Sequence, residues 1–505
     1  MKAEREHRTR DTSIKINTRT GQYRNNDIQE ASMTADASAS NIVLVTVDSL
    51  RSDIISHNAD DRRTPEIGSL AESGTVFENA FAHGNWTPFS FPGILASQPV
   101  FAESDDIGLP GSPVLAEVLR EAGLRTGGFN ASNGFLTAYW GYDRGFDAFE
   151  AFIGGEDPSK YERYLAAHPT VHAWLQVAGS PFRRLAHRFR HGSGSQPFTD
   201  TSRLLDIENG AVEFIQNAGE GFFLWVHYMD AHTPYVPAPQ HLREVSDGQF
   251  ETHRLVRAHL RTGLGLSVGE QTLGDLQALY SGAIRQVDAS VGRLRETLEE
   301  AGVADETAFV VAGDHGEEFM EHGNLAHYPK LYDSLIHVPL IADVPGLEGR
   351  RVEEAVGLDA VPPTVTDILG VDPPEAWTGR SLLPAVAGGP VSDRKPVVSV
   401  TVRGDSVTQQ PIPRRLDDGD LYASARTSEW TYIENTATGE HELYRRGRDP
   451  DHQHDLRETG EAPAEVVGRL DAAVEEHVAL LGGEGGPEEP VDDAVATRLD
   501  ALGYR

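Results

Sequence analysis

The chain has 505 residues, 39% of them apolar, which is enough for one large α/β domain and a smaller one. It carries 44 basic and 78 acidic residues, a net charge of −34. The acidic residues are spread along the whole chain. This distribution argues against nucleic-acid binding, which needs a basic surface patch. There is no cysteine, so disulfides and thiolate chemistry are excluded. No stretch approaches the roughly 20 apolar residues of a membrane helix.

A dispersed acidic surface with few lysines is typical of proteins adapted to high salt, where screening suppresses self-repulsion. We therefore expect a salt-loving source, a halophilic archaeon; an ordinary acidic cytosolic protein is the alternative. Residues 1–40 are polar and lack the apolar segment of a signal peptide. We expect them to be a disordered extension and the protein to be cytoplasmic, with Met33 as a possible alternative start.

The first predicted strand covers residues 41–47, NIVLVTV, a β-branched run typical of a strand buried on both faces of a parallel sheet. Asp48 follows it directly, at the carboxyl edge where open α/β sheets bind their ligands. A carboxylate there suits a hard metal ion. Taken alone, Asp48 is more simply interpreted as a turn or N-cap residue.

The apolar segment at residues 86–93, WTPFSFPG, contains two hydroxyls, those of Thr87 and Ser90. Either hydroxyl is a helix cap, or one is a nucleophile whose pKa a metal ion lowers. Farther along, Ser112 is the predicted N-cap of a helix that ends at Gly123, and a short strand follows near residues 128–129.

Residues 201–218 are predicted to form a helix that leads into a strand at residues 222–226. Its predicted inward residues are Leu204, Leu205, Ile207, Ala211, Val212 and Ile215. His227 and His232 follow the strand and enclose Asp230, a group suited to metal binding, anion binding or proton transfer, although a lone histidine is usually structural. The irregular residues 152–196 are predicted to be an insertion near the mouth of the site.

A third helix and strand, at residues 276–301 and 308–312, lead to Asp314 and His315 between two glycines. Adjacent aspartate and histidine side chains can supply an oxygen and a nitrogen to one ion. Lys330 is one of only five lysines in the chain. It is either a surface residue or a compact charge that the site needs.

The alternation of helices and strands predicts an α/β fold with a doubly wound, mainly parallel sheet. Segments at residues 397–402 and 422–444 predict a small C-terminal antiparallel α+β subdomain. We expect a catalytic domain at residues 41–390, the subdomain at residues 391–480 and a flexible acidic tail at residues 481–505.

Taken together, these segments resemble the sulfatase family of the alkaline phosphatase superfamily, which implies an alkaline-phosphatase-like fold. The resemblance covers residues 41–456 in family order. It includes NIVLVTVDSLRSD, TPEIGSLAESGTVFENAFAHGNWTPFSFPGILAS, FFLWVHYMDAHTPY, VVAGDHGEEFMEHGNLAHYPKLYDSLIHVPLI, VGLDAVPPTVTDILG and ELYRRGRDPDHQHDL.

The resemblance implies roles for particular residues. The implied metal ligands are Asp48, Thr87, Asp314 and His315, for one divalent ion that the residues do not identify among Ca²⁺, Mg²⁺, Mn²⁺ and Zn²⁺. Thr87 lies at the position of the nucleophile. The groups implied to hold the anion and assist the leaving group are His227, His232 and Lys330, and substrate contacts are expected from Arg51 and His322.

Three positions depart from the family pattern. The usual nucleophile is a cysteine or serine converted to formylglycine in a C/S-x-P-x-R motif, whereas Thr87, Phe89 and Phe91 occupy its three defining positions here. Ser49 stands where many relatives have a second metal-binding aspartate. Formylglycine hydrate releases sulfate by collapsing to an aldehyde, which threonine cannot do. Related phosphodiesterases and phosphotransferases use threonine.

The resemblance implies a metal-dependent hydrolase of sulfate or phosphate esters, with Thr87 as the metal-activated nucleophile. The departures favour phosphate or phosphonate esters over sulfate esters. The expected substrate is an anionic ester such as a sulfated or phosphorylated glycan. A soluble phosphotransferase that modifies a glycan or lipid headgroup is one alternative. The other is an inactive homologue that only binds anions.

Overall fold

The computed structural model describes residues 39–55, 60–109, 111–131, 133–152, 202–246, 268–392, 395–404 and 412–482. The predicted N-terminal extension, the predicted insertion after residue 152 and the predicted acidic tail lie outside these ranges, except for one or two residues at their edges. Within these ranges, no helix combines the length and the apolar composition that crossing a bilayer requires.

The described residues form strands and helices that alternate through most of the chain. The strands are β1 (Asn41–Val47), β2 (Thr75–Phe81), β3 (Arg125–Asn130), β4 (Ala148–Glu150), β5 (Phe222–Tyr228), β6 (Thr307–Gly313), β7 (Glu318–Phe319), β8 (Leu325–Ala326), β9 (His337–Val338), β10 (Leu340–Asp343), β11 (Arg351–Gly357), β12 (Val397–Arg403), β13 (Asp420–Arg426), β14 (Trp430–Asn435) and β15 (His441–Arg445). The α-helices are α1 (Pro65–Ser73), α2 (Thr87–Ala96), α3 (Leu115–Glu121), α4 (Leu204–Ala218), α5 (Pro239–Val245), α6 (Glu270–Ala301), α7 (Asp333–Ile336), α8 (Val361–Ile368), α9 (Leu383–Val386), α10 (Leu456–Thr459) and α11 (Ala464–Val478).

The central sheet has the strand order β11-β2-β10-β6-β1-β5-β3-β4, with β9 also paired to β2. Strand β1 lies in the middle and pairs in parallel with both β6 and β5. Strand β10 runs antiparallel to its neighbours β2 and β6. The prediction of a doubly wound, mainly parallel sheet is therefore confirmed, with the antiparallel β9 and β10 as the exceptions.

Strand β1 is fully buried because helices cover both faces of the sheet. Successive side chains of a strand point to opposite faces. Val43 and Val45 pack in the apolar core formed with α1, α4 and α6, whereas Ile42 and Leu44 pack in the core formed with α2, α3 and α8. Burying each of these side chains stabilises the fold by roughly 1.5–3 kcal/mol. The continuous apolar run of β1 reflects this two-sided burial.

Three helix starts and one inward-facing residue differ from the sequence predictions. The helix predicted at residues 201–218 begins at Leu204. The helix predicted at residues 276–301 begins earlier, at Glu270. Ser112 is not an N-cap: the helix begins at Leu115 with Val114 as N-cap, and the Ser112 hydroxyl bonds to the Glu103 carboxylate. Leu205 was predicted to face inward but is 50% exposed. It lies beside the buried stripe of α4 because successive helical residues are rotated by about 100°.

The C-terminal antiparallel sheet, with the order β12-β13-β14-β15, confirms the predicted smaller sheet. A buried cluster of ion pairs connects the C-terminal sheet to the start of α7. Asp333, at the start of α7, accepts hydrogen bonds from Arg426 Nε at 3.1 Å and Arg446 Nε at 2.6 Å. The domain boundary proposed at residue 390 stays a prediction.

Candidate metal centre and nucleophile

The strand order β6-β1-β5 brings three of the predicted site segments to one edge of the sheet. Val47 pairs with Tyr228 on one side and with Gly313 on the other. Asp48 and Asp314 are therefore the first residues after two neighbouring strands, β1 and β6, and lie at the same height on the sheet edge. His227 lies within β5, opposite Thr46, rather than after the strand as predicted.

Asp314 is oriented by the backbone around it. Its Oδ1 accepts hydrogen bonds from the backbone N–H of Ser49 at 3.1 Å and of His315 at 2.8 Å. Its Oδ2 is buried and has no hydrogen-bond partner among the described residues. Burial raises the pKa of Asp314 to about 7, and the nearby Asp48 carboxylate contributes to the rise. A buried carboxylate oxygen without a partner is a cost to the fold unless a cation binds it.

Two histidines present a free Nε2 to the same centre. His315 Nδ1 lies 2.9 Å from the carbonyl of Gly316, which can only accept, so Nδ1 carries the proton and Nε2 the lone pair. His227 Nδ1 lies 3.0 Å from Oγ1 of Thr46. That hydroxyl also accepts from Trp225 Nε1 at 3.0 Å and reaches the carbonyl of Val226 at 3.4 Å. His227 Nε2, the other ring nitrogen, is buried and has no hydrogen-bond partner among the described residues.

Asp48, His227 and Asp314 each offer a ligand atom within 4.8 Å of the others. His315 Nε2 lies 3.5 Å from Asp48 Oδ1 and 3.8 Å from Asp314 Oδ2. Nε2 of both histidines is buried and lacks a hydrogen-bond partner in the described part of the chain. Carboxylate oxygens and neutral imidazole nitrogens are the usual ligands of divalent cations, so this donor set fits one such ion. His227 joins the predicted ligands in this arrangement.

Thr87 is the first residue of α2 and points its hydroxyl at this centre. Its Oγ1 donates to Asp48 Oδ2 at 3.1 Å. The alternative that Thr87 or Ser90 caps the helix is not met: the N-cap is Trp86, no side chain caps the helix, and the Ser90 hydroxyl bonds to the carbonyl of Gly84. The Thr87 hydroxyl therefore lies against one of the candidate metal ligands.

Phe91, one of the departures from the family motif, packs within the site. Its ring is one helical turn from Thr87 and lies edge-on to the His227 ring, with the centroids 5.0 Å apart. Phe91 is fully buried. An apolar ring at this position holds the His227 imidazole in place and offers no charge to an anion. Burial lowers the pKa of His227 to about 4, so its ring is neutral at physiological pH, as a metal ligand must be.

A second group of side chains adjoins the centre. His232 donates from Nδ1 to its neighbour, the Thr233 carbonyl, at 2.6 Å. The His327 ring lies 4.8 Å from the rings of both His232 and His315. Glu317 is fully buried, and its Oε2 lies 3.6 Å from His327 Nδ1. Burial raises the pKa of Glu317 to about 7.

The other three predicted residues form a neighbouring ion-pair network. Arg51 binds Asp53 with two nitrogens, at 2.9 and 2.7 Å, and Glu321 at 2.6 Å. Lys330 Nζ lies 3.2 Å from the buried carboxylate of Glu318 and 2.9 Å from the carbonyl of His322. These charges are used within the network, so the catalytic role of Lys330 and the substrate contacts of Arg51 and His322 stay predictions.

The sequence reasoning missed Asn133, Glu317 and His327. Asn133 Nδ2 lies 3.4 Å from both Asp48 Oδ2 and Thr87 Oγ1. Nothing in the local sequence distinguishes this asparagine. Glu317 is only two residues from His315, and His327 lies three residues before Lys330, so their proximity to predicted site residues was the available signal.

Comparison with known proteins shows to which family the chain belongs. Residues 40–371 match the sequence model of the family described as Sulfatase, and this range contains every candidate residue named so far at the centre. Among relatives, the chain is similar to the multifunctional alkaline phosphatase superfamily protein PehA of Trinickia caryophylli, with 30% identity over 202 residues. That match covers 35% of this chain and 39% of PehA, so it spans about two-fifths of that protein.

Among solved structures, the fold is similar to the phosphonate monoester hydrolase of Agrobacterium radiobacter, with a TM-score of 0.63, 19% identity, and coverage of 87% of this chain and 95% of that one. It is also similar to a protein solved in complex with its substrate D-glucosamine-2-N,6-O-disulfate, with a TM-score of 0.64, 18% identity, and coverage of 89% and 99%. These likenesses confirm the predicted fold. Because the family model matches well over half of the chain, the protein belongs to the sulfatase family of the alkaline phosphatase superfamily, a family of ester hydrolases.

Proposed function

We propose that this protein hydrolyses phosphate or phosphonate esters, with Thr87 as the nucleophile at a centre for one divalent cation. The observation that carries the proposal is the hydrogen bond of 3.1 Å from the Thr87 hydroxyl to Asp48, within a group of buried side chains that fits a metal ion. The ligands in this proposal are Asp48, Asp314 and His315, with His227 as a fourth candidate. When bound, such an ion neutralises the anionic ester and lowers the pKa of a nearby hydroxyl.

In this proposal, the side chains of the site position the nucleophile, attack phosphorus and transfer the proton to the leaving group. Asn133 and Asp48 fix the direction of the Thr87 hydroxyl. Thr87 Oγ1 forms a bond to phosphorus as the ester bond to the leaving oxygen breaks, and water then cleaves the phosphothreonine. His232 and His327 adjoin the centre, since the His327 ring lies 4.8 Å from the rings of both His232 and His315. A histidine in this position can hold or deliver a proton to the leaving oxygen.

The choice of phosphorus over sulfur rests on the chemistry of threonine. A threonine ester of sulfate has no aldehyde route for release and requires direct attack by water. A phosphothreonine is resolved by water in an ordinary in-line displacement. The similarity to a phosphonate monoester hydrolase and to a multifunctional alkaline phosphatase superfamily protein supports this choice.

The substrate class in this proposal is an anionic ester of a sugar. It is supported by the similar protein that was solved in complex with its substrate, D-glucosamine-2-N,6-O-disulfate. The net charge of −34 favours activity in concentrated salt, where the screening length falls to about 3 Å at 1 M. The halophilic archaeal source and the cytoplasmic location stay predictions.

The proposal is tested by assaying nitrophenyl phosphate, bis-nitrophenyl phosphate and nitrophenyl sulfate in high salt, with each candidate metal in turn. We expect turnover of the phosphate esters that is lost on chelation and in Thr87→Ala. Turnover of the sulfate ester alone would show that the choice of phosphorus is wrong. No turnover together with no bound metal would instead favour an inactive anion-binding homologue.

A further inference from the structure

Asn85, two residues before Thr87, is a fully buried amide that connects two segments of the site. Its Nδ2 donates to the carbonyl of His327 at 3.3 Å and to that of Tyr328 at 2.8 Å. The reversed amide would place Oδ1 against these two carbonyl oxygens, so only this orientation is possible. Oδ1 is then buried without a partner among the described residues, which costs stability. The two donated hydrogen bonds are therefore what the Asn85 side chain contributes at this position.

Hydrogen bonds to other elements fix the segment that leads to Thr87. The backbone N–H of Val400, in β12, donates to the carbonyl of His83 at 2.9 Å. The Ser90 hydroxyl donates to the carbonyl of Gly84 at 3.1 Å, which ties the segment to the first turn of α2. The start of α2 is therefore a firm support for any group that is bonded to it.

The segment that carries His327 is an irregular loop between β8 and α7. Within this loop, the backbone N–H of Lys330 donates to the carbonyl of Tyr328 at 2.7 Å. The carbonyl of His327 itself accepts from Asn85. The amide of Asn85 therefore fastens the backbone at His327 to the start of the nucleophile helix.

The distance between Thr87 and His327 matters for the proposed reaction. In an in-line displacement, the attacking and leaving oxygens lie on opposite sides of phosphorus. The His327 ring lies 4.8 Å from the ring of His315, a candidate metal ligand, and is thus beside the centre. A shift of about 1 Å in a reacting or assisting group can lower the rate about 10²-fold.

We propose that Asn85 is a positioning residue that keeps His327 at a fixed distance from Thr87. The inference rests on the proposed function, in which a histidine assists the leaving oxygen. Such assistance matters most for esters of aliphatic alcohols, such as sugar hydroxyls, because an alkoxide is a poor leaving group. Nitrophenolate leaves with little help. The contribution of Asn85 to the rate should therefore grow as the leaving group becomes poorer.

Leaving-group dependence tests this role. We compare kcat/KM for nitrophenyl phosphate and phenyl phosphate, whose leaving group is the poorer one, in the unaltered protein, Asn85→Ala and His327→Gln. We expect both variants to lose at least fivefold more on phenyl phosphate than on nitrophenyl phosphate. The double variant should be no slower on phenyl phosphate than His327→Gln alone, because Asn85 acts through His327.

Two further variants separate positioning from folding. Asn85→Leu keeps the volume of the side chain and removes both donors, so it should show the same selectivity and replaces Asn85→Ala if that variant does not fold. Asn41→Ala is the matched control. Asn41 is also fully buried and donates from Nδ2 to a backbone carbonyl, that of Glu306 at 3.5 Å, at the end of β1 away from the centre. Its replacement should lower stability and leave the ratio of the two rates unchanged.

A second measurement needs no turnover. In protein labelled with ¹³C in the histidine rings, the His327 resonance is identified by its loss in His327→Gln. We expect this resonance to shift or broaden in Asn85→Ala and in Asn85→Leu, and to stay in place in Asn41→Ala. An unchanged His327 resonance in the Asn85 variants, or equal losses on the two esters, would overturn the positioning role.

The outcomes separate this inference from the proposed function. Equal losses on the two esters, with phosphothreonine still formed at Thr87, remove the positioning role and leave the proposed function standing. A displaced His327 resonance in the Asn85 variants, together with turnover unaffected by Thr87→Ala, supports the fastening of the loop and overturns the proposed nucleophile.

Discussion

The Thr87 hydroxyl donates a hydrogen bond of 3.1 Å to Asp48 Oδ2, although the two residues are 39 positions apart in the chain. Asp48 directly follows the central strand β1, and Thr87 is the first residue of α2, the helix that comes after β2 in the chain. A rigid strand end and a helix start thus fix a hydroxyl against a carboxylate. This contact joins the proposed nucleophile to the proposed metal ligands.

Replacing Asp314 with asparagine should remove the cation from the proposed centre. The substitution leaves the two hydrogen bonds from backbone N–H groups possible but takes away the negative charge that attracts the ion. We expect a loss of at least about 10³-fold in kcat/KM, and no rise in melting temperature on adding metal. The measurements are phosphate-ester kinetics and thermal melting with and without metal. The exposed Asp372→Asn serves as the control, and a normal metal-induced rise in Asp314→Asn would contradict the ligand assignment.

Asn133 should act as a positioning residue. Its Nδ2 lies 3.4 Å from both Thr87 Oγ1 and Asp48 Oδ2, so Asn133→Ala should let the hydroxyl rotate away. We expect kcat to fall about 10- to 100-fold, less than the 10²–10³-fold typical of a lost oxyanion donor, with metal content unchanged. Kinetics and metal analysis are compared with the exposed Asn217→Ala. An unchanged kcat in Asn133→Ala would rule out this positioning role.

Lys330 gives a test that separates catalysis from stability. Its ammonium compensates the fully buried Glu318 carboxylate at 3.2 Å. Lys330→Met should lower the free energy of unfolding by roughly 2–3 kcal/mol, since a buried carboxylate is left without its cation. The double variant with Glu318→Gln should recover most of that loss in urea unfolding.

Activity of this double variant then decides the role of Lys330. If Lys330 contacts the substrate, as the family resemblance implies, the double variant should fold normally and still be impaired. Full activity in the double variant would restrict Lys330 to stabilising the fold.

The sequence predicted the parts of the site that follow strands and missed the parts that other elements bring in. Asp48 and Asp314 could be predicted because each directly follows a continuous apolar run, which is the sequence pattern of a buried parallel strand. Ligand-binding residues in open α/β sheets lie at the carboxyl ends of such strands. Asn133 could not, since only the folded loop brings it to the sheet edge. The antiparallel insertion of β10 between β2 and β6 has the same cause: strand order depends on long-range pairing, which local patterns do not encode.

The buried cluster around Asp333 should make stability depend on acid. Burial opposes ionisation, but Arg446, His452 and Arg426 lower the pKa of Asp333 well below its usual value. A folded-state pKa below the unfolded value of about 3.9 stabilises the fold above that pH, and the stabilisation is lost as the pH falls through the folded-state pKa. Asp333→Asn should cost about 3–5 kcal/mol at pH 7.

The cost of Asp333→Asn should shrink as the pH falls below about 4, where the unfolded chain is already protonated. Urea unfolding of both proteins at several pH values measures this difference. A cost that is the same at neutral and at acid pH would mean that the carboxylate charge does not contribute.

The most direct test of the central claim is to trap the covalent intermediate. Unaltered protein is mixed with nitrophenyl phosphate and metal in high salt, quenched in acid within the first turnovers, and digested for mass spectrometry. We predict one added phosphoryl group on the peptide that contains Thr87, absent in Thr87→Ala and absent without metal. Rapid turnover with no modification of this peptide, or an unchanged rate in Thr87→Ala, would contradict the account.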